Sequence, residues 1–158
     1  MSRVSPGAGS AARQELLDRL AELGGLSALL SATIAGRAGM NSTDLESLDL
    51  LRRHGPMTAG RLAKLTGLTT GAVTGIIDRL ERRGFAHREA DVGDRRRVII
   101  VVDGECAEAE LGPFYAGLGE AMDVVLTHYT DAEVALLFDA AQRLNEALRT
   151  ALNGLRPG

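Results

Sequence analysis

Leucine and isoleucine recur at helical spacing from Ala11 to about Ile34, at Leu16, Leu20, Leu23, Leu26, Leu29 and Leu30, which predicts a long amphipathic helix. Gly24-Gly25 interrupts the pattern and predicts a bend, since each glycine costs about 1 kcal/mol in a helix interior. A loop from Gly36 to Asn41 follows. Thr43 and Glu46 form a capping-box pattern ahead of Leu48 and Leu51, so a second helix starts there and Gly55-Pro56 ends it. Thr58 can cap a short third helix with Leu62, Ala63 and Leu65 inward, and Thr66-Gly67-Leu68 makes a turn. Thr69 or Thr70 then caps a longer helix to about Arg83, with Val73, Ile76, Ile77 and Leu80 as its apolar stripe. Gly84 suits the left-handed residue after it. The period next changes from helical to alternating: Phe85 to Glu89 and Arg97 to Val102 predict two strands around an Asp91–Asp94 turn. Beyond Asp103 the helical period returns. Pro113 either opens a helix at its first position or kinks a longer one. Thr130 and Glu133 form a second capping box, and Val134, Leu137, Phe138, Ala141, Leu144, Leu148 and Leu152 share a face of the last helix.

Ala63, Gly67 and Val73 sit where a helix-turn-helix needs a small residue, a glycine turn and a locking aliphatic. A hairpin carrying Arg95-Arg96-Arg97 follows at once, as a wing does. The fold class predicted is mainly α (α+β): a winged helix-turn-helix over residues 41–103, with a helix over 11–40 before it and helices over 104–158 after it. Residues 1–10 read as a flexible tail rich in Ser, Gly, Pro and Ala. The first and last helices carry more apolar surface than so small a domain can cover. Pairing with a second copy would bury it, giving a twofold homodimer; the alternative is a compact monomer with a helical cap.

Charge sharpens this picture. The net charge is −3, unpromising for a nucleic-acid binder until it is divided. Residues 52–97 hold eleven Arg or Lys against five acids, and the remainder holds seven against sixteen. Phosphate affinity follows the local field and not the global pI, so the basic segment predicts double-stranded DNA as partner. The single cysteine, Cys106, rules out an intrachain disulfide and a cysteine-based zinc site, and reads as a half-buried filler. No apolar run approaches the roughly 18 residues of a membrane span, and the start lacks a secretory apolar segment, which predicts a cytoplasmic chain.

The stripe on the second helix of the motif leaves Thr70, Gly71, Thr74, Gly75 and Asp78 on the opposite, outward side. Lying in a major groove, Thr69, Thr70 and Thr74 would offer hydroxyls to phosphates or base edges and methyls to thymine. Gly71 and Gly75 fit close approach to DNA, against the alternative of neutral surface variation. Arg79, Arg82 and Arg83 read as phosphate clamps oriented by Asp78 and Glu81. Arg96 at the wing tip can enter the minor groove. Arg95 and Arg97 beside it bind phosphates or fold back onto Asp91 and Asp94, the carboxylates expected to orient the wing. A solvated charge run is the bland alternative.

His54, His87 and His128 lie far apart, with no nucleophile motif, P-loop or metal-binding spacing, so neither an enzyme nor a metal or cofactor site is expected. A winged helix that binds an acidic protein partner is the other class of reading. The GPMTAGRLAKLTGLTTGAVTGIIDRLERRGF block and the DVGDRRRVIIV wing resemble the multiple antibiotic resistance regulator (MarR) family of bacterial transcription factors. The resemblance covers Leu45 to Val102 at motif level. It implies a homodimeric winged-helix regulator, usually a repressor, on a pseudo-palindromic operator. It also implies release by a small lipophilic or phenolic effector bound between the dimerisation helices and the DNA-binding domain. By position it makes Thr69 to Arg83 the groove-reading helix and Arg96, oriented by Asp94, the minor-groove arginine. Peroxide sensors of the family keep their cysteine in the first helix, where this chain has none. The wing runs into Val-Val-Asp-Gly-Glu, where the family's next helix commonly begins Leu-Thr. His54, Tyr115 and His128 are polar candidates for an effector site.

Overall fold

The computed structural model describes residues 8–155. Most of the tail expected over 1–10 therefore lies outside the described residues. Six helices and one hairpin follow in the order α1 (Ala8–Arg37), α2 (Ser42–His54), α3 (Ala59–Thr66), α4 (Thr70–Arg82), β1 (Ala86–Ala90), β2 (Val98–Val102), α5 (Gly104–Leu126) and α6 (Asp131–Gly154). Each strand starts one residue later than the alternation suggested. β1 and β2 pair antiparallel, with Arg88 opposite Ile100. Ile100 also exchanges two backbone hydrogen bonds with Met57, which stitches the segment between α2 and α3 to the hairpin.

Two helices depart from the expectation, and a third settles which of two readings of Pro113 holds. α1 runs unbroken through Gly24-Gly25, and a Cβ at either glycine would meet open space. Glycine keeps its N–H, so it weakens a helix without removing a backbone bond. α2 is capped by Asn41, whose side chain accepts from the Asp44 N–H at 2.7 Å. The Thr43–Glu46 box is not the cap, because a strong capping residue two positions earlier starts the helix first. α5 begins at Gly104, capped by Asp103, which accepts from the Cys106 N–H at 2.9 Å, and continues through Pro113. The other caps form as expected: Thr58 on α3, Thr69 on α4, and the reciprocal Thr130–Glu133 box on α6. In that box the Thr130 N–H and hydroxyl lower the Glu133 pKa.

The core belongs to the winged helix. Leu48, Leu51, Leu62, Val73, Ile77, Leu80, Phe85 and Ile100 are buried in it, joined by Ile34 and Ala35 from the end of α1 and by Ala107 and Leu111 from the start of α5. Leu65 is exposed, and Leu68 from the turn packs in its stead. Farther out the arms are bare. Leu16, Leu23, Leu26 and Leu29 of α1, Met122 and Val125 of α5, and Leu137, Phe138 and Leu148 of α6 are exposed, and no described residue of α6 is buried. Within a single chain these apolar stripes stay uncovered.

Candidate nucleic-acid interface

The turn between α3 and α4 is built as a helix-turn-helix needs. Gly67 adopts φ 74°, a left-handed conformation that glycine enters without steric cost, and its N–H returns to the Ala63 carbonyl at 2.8 Å. Val73, Ile76, Ile77 and Leu80 are all buried, which turns Thr70, Gly71, Thr74 and Asp78 outward. The Thr69 side chain accepts from the Ala72 N–H, and the Thr74 hydroxyl donates to the Thr70 carbonyl at 3.0 Å. A Cβ at Gly71 would meet nothing within 4 Å, so that glycine leaves open room on the outer face. Gly75 differs: it is half-buried, and a Cβ there would stand 3.4 Å from the Arg79 guanidinium.

The three arginines of this helix part company. Arg79 turns back onto α2 and donates from Nε and Nη2 to the two oxygens of buried Asp44, at 2.8 and 2.7 Å. That fork raises the Arg79 pKa, through the hydrogen bond first, with burial opposing. Arg83 donates to the Ala38 carbonyl and to Glu110 of α5 at 2.7 Å, while its guanidinium lies over the Phe85 ring, 4.8 Å from the centroid. Arg82 alone is exposed, with Nε to the Asp78 carbonyl. Asp78 and Glu81 do not orient these three. Their carboxylates both pair with Arg88 of β1, whose backbone N–H also donates to Glu81 at 2.8 Å. Arg88 thereby locks the hairpin to α4. Sequence reasoning counted it only as charge, because its partners lie seven and ten residues back on another element.

Asp44→Ala is expected to cost about 1–2 kcal/mol, measured by urea unfolding. This is less than the loss of a fully buried partner, because the Arg79 side chain is 42% exposed and regains water. A loss below about 0.5 kcal/mol, the level of an ordinary surface change, would remove the pair from the account.

Along the wing, Asp91 and Asp94 serve the backbone. Asp91 Oδ1 accepts from the Gly93 N–H at 2.8 Å, and Asp94 Oδ1 from the Arg96 N–H at 3.0 Å. The Asp91 N–H donates to the Arg97 carbonyl and the Arg97 N–H to the Asp94 carbonyl, closing the loop. Among the described residues no carboxylate pairs with Arg95, Arg96 or Arg97, and all three are exposed. The folding back of Arg95 and Arg97 onto these aspartates is not what the side chains do. Val92 projects beside them at the tip, 96% exposed. Arg61 on the outer side of α3 is a further exposed cation that the sequence reading did not single out.

Behind this face, α1, α2 and α5 enclose a cleft of about 420 Å³. Leu30, Leu45, Leu48 and Leu111 line it together with a polar set that includes Glu46, Asp49, Arg52, Arg53, Glu108 and Tyr115. Burial raises the pKa of the Tyr115 phenol. His54 and His128 do not line it. Cys106 is half-buried, as expected of a filler, with Sγ against the Arg83 carbonyl at 3.7 Å. Among the described residues, no group of His, Cys, Asp and Glu could hold a metal ion, and no helix is long and apolar enough to cross a membrane.

A glycine-turned helix pair, an outward threonine face and an arginine wing define a winged-helix DNA-binding protein. The sequence model of the MarR family matches residues 40–98. An uncharacterised HTH-type transcriptional regulator of Bacillus subtilis (strain 168), YcgE, is 37% identical over 135 residues, covering 85% of this chain and 87% of its own. The HTH-type transcriptional repressor NicR of Pseudomonas putida is 36% identical over 61 residues, 39% of each chain. In three dimensions the chain shares its fold with a MarR family protein from Bacillus stearothermophilus, at TM-score 0.62 and 19% identity, covering 92% of this chain and 99% of that one. The chain belongs to the MarR family of transcriptional regulators. It is a DNA-binding regulator and not an enzyme, in a family whose members act as dimers.

Proposed function

We propose that this chain is a ligand-responsive repressor that works in the cytoplasm as a homodimer on a pseudo-palindromic operator. The observation that carries the reading is the division of arginines: Arg95, Arg96 and Arg97 are exposed, without carboxylate partners among the described residues, on the wing that follows α4. Thr69, Thr70, Gly71 and Thr74 would face the major groove, Arg96 the minor groove, and Arg82, Arg95 and Arg97 the phosphates. Asp91 and Asp94 hold the wing loop in the shape that presents them. The bare stripes of α1, α5 and α6 support pairing with a second copy, which would set two reading helices about one turn of DNA apart. The repressor sign leans on the name of the Pseudomonas relative. The cleft between α1, α2 and α5 suits a small lipophilic or phenolic effector, held by its leucines with Tyr115 or Arg52 as the polar contact.

Selection of binding sites from random duplex DNA with the purified protein tests this reading. A symmetric motif with half-sites about 10 base pairs apart is expected. Featureless enrichment would move the weight to a winged helix that binds an acidic protein.

A further inference from the structure

Two groups of elements meet in this molecule: the winged helix with its buried core, and the long arms of α1, α5 and α6 whose apolar stripes lie outside it. The backbone joins them at the end of α1 and along α5. Arg83 sits between those two connections and touches both. It directly follows α4, so its backbone belongs to the reading helix. Its Nη1 donates to the carbonyl of Ala38, just past the end of α1, and its Nη2 to Glu110 of α5, while Phe85 lies under the guanidinium plane. The side chain is one-third exposed.

The local chemistry favours this position for a guanidinium. The C-terminal end of α1 carries the negative end of its dipole, where a cation is stabilised. Gly39, at φ 64°, turns the chain there, and a Cβ added to it would stand 3.8 Å from the Arg83 guanidinium. A planar fork of N–H donors can hold acceptors on two different elements at once, which a lysine ammonium on a flexible stem does less well. A short distance away Arg37 lies over the Phe114 ring, 5.5 Å from its centroid, so the α1–α5 junction is pinned a second time, without α4. Arg83 adds the reading helix to that junction through its side chain.

We infer that Arg83 is a positioning residue, which sets the orientation of α4 on the α1–α5 arms and so the spacing of the two reading helices, and does not clamp a DNA phosphate. The inference rests on the proposed reading of the chain as a dimeric operator-binding protein. Two half-sites on one duplex are engaged together only if the linked reading heads span them; a misaligned head forfeits the gain of the second contact while keeping the first. Arg83 therefore acts on the two-site complex and leaves single-site contacts alone.

The test uses full-length Arg83→Gln, Arg83→Lys and Glu110→Gln proteins. Each is bound to the selected palindrome, to the same duplex with one half-site scrambled, and to an unrelated duplex, over a range of salt concentrations. Arg83→Gln is expected to lose about tenfold on the palindrome and under about twofold on the single half-site, with an unchanged salt slope. Arg83→Lys does not restore the palindrome. Glu110→Gln loses in the same direction, and more mildly, because Arg83 keeps the Ala38 carbonyl. The palindrome-to-half-site ratio cancels the uniform effect of the altered charge. Equal losses on all three duplexes with a shallower salt slope would make Arg83 a phosphate clamp and overturn the inference, as would an unchanged ratio in both Arg83→Gln and Glu110→Gln. If Arg83→Gln does not fold, the ratio in Glu110→Gln decides alone, since that side chain is half exposed. A wild-type protein with no preference for a palindrome would overturn the proposed function itself, a separate and recognisable result.

Discussion

Phe85→Ala is expected to destabilise the protein by about 3–5 kcal/mol, the largest loss from any single substitution considered. Phe85 is the largest of the fully buried side chains. It also marks where the reading helix stops. Its N–H returns to the Leu80 carbonyl at 2.9 Å and the Gly84 N–H to the Glu81 carbonyl at 2.9 Å, the paired bonds that close a helix end through a left-handed glycine. Its own carbonyl receives the Asp103 N–H at 2.9 Å, tying the end of α4 to the start of α5. Truncating the ring removes apolar contact from the middle of the core and the surface on which Arg83 rests. Phe85→Leu, which keeps most of the volume, should cost under about 1.5 kcal/mol. Urea unfolding at fixed protein concentration measures both, the concentration being held because pairing with a second copy adds to apparent stability. A Phe85→Ala loss below about 1 kcal/mol would mean the core collapses around the gap, and the ring would not be its keystone.

The second large effect is on DNA. Arg96→Ala is expected to weaken operator binding by about 1–3 kcal/mol, roughly five- to 150-fold, at fixed salt. The loop around Arg96 is held by backbone hydrogen bonds that its side chain does not make, so removing the guanidinium leaves the wing's shape intact. Nor, among the described residues, is there a side-chain partner to be left unpaired. The whole loss would then report the contact with DNA. Because a minor-groove arginine senses groove width, the loss should be greatest on operators with A·T-rich flanks. Fluorescence anisotropy on the selected operator and on a flank-substituted duplex measures both quantities. Unchanged affinity on both would sink the wing assignment.

Much of the fold was legible in the chain because its signals are local. The buried stripe of α4 follows from four aliphatics at helical spacing, and the Gly67 turn from one residue free to take a positive φ. The boundaries that slipped did so where two local signals competed: Asn41 against Thr43 as a cap, and glycines that weaken α1 without interrupting it. Pro113 could open or interrupt a helix, and only the cap at Asp103 decided that it lies within α5. The candidate site was half legible. Its outward threonines and its wing arginines follow from periodicity and from the turn.

Which cations remain available to a ligand did not follow. Arg79, Arg82 and Arg83 are near neighbours with similar intrinsic chemistry, yet one forks onto a carboxylate 35 residues away, one is exposed, and one reaches 27 residues forward to α5. The sequence by itself determined the helices, the turn, the wing and the excess of apolar stripe that calls for a second copy, because each depends on residues within a few positions of one another. Only the tertiary structure decided that Asp78 and Glu81 hold Arg88, that Asp91 and Asp94 serve the wing backbone, and that Arg83 joins the reading helix to the arms. Long charged side chains reach farther than the local pattern that places them, so their partners are set by which distant elements the packed core brings within a hydrogen bond.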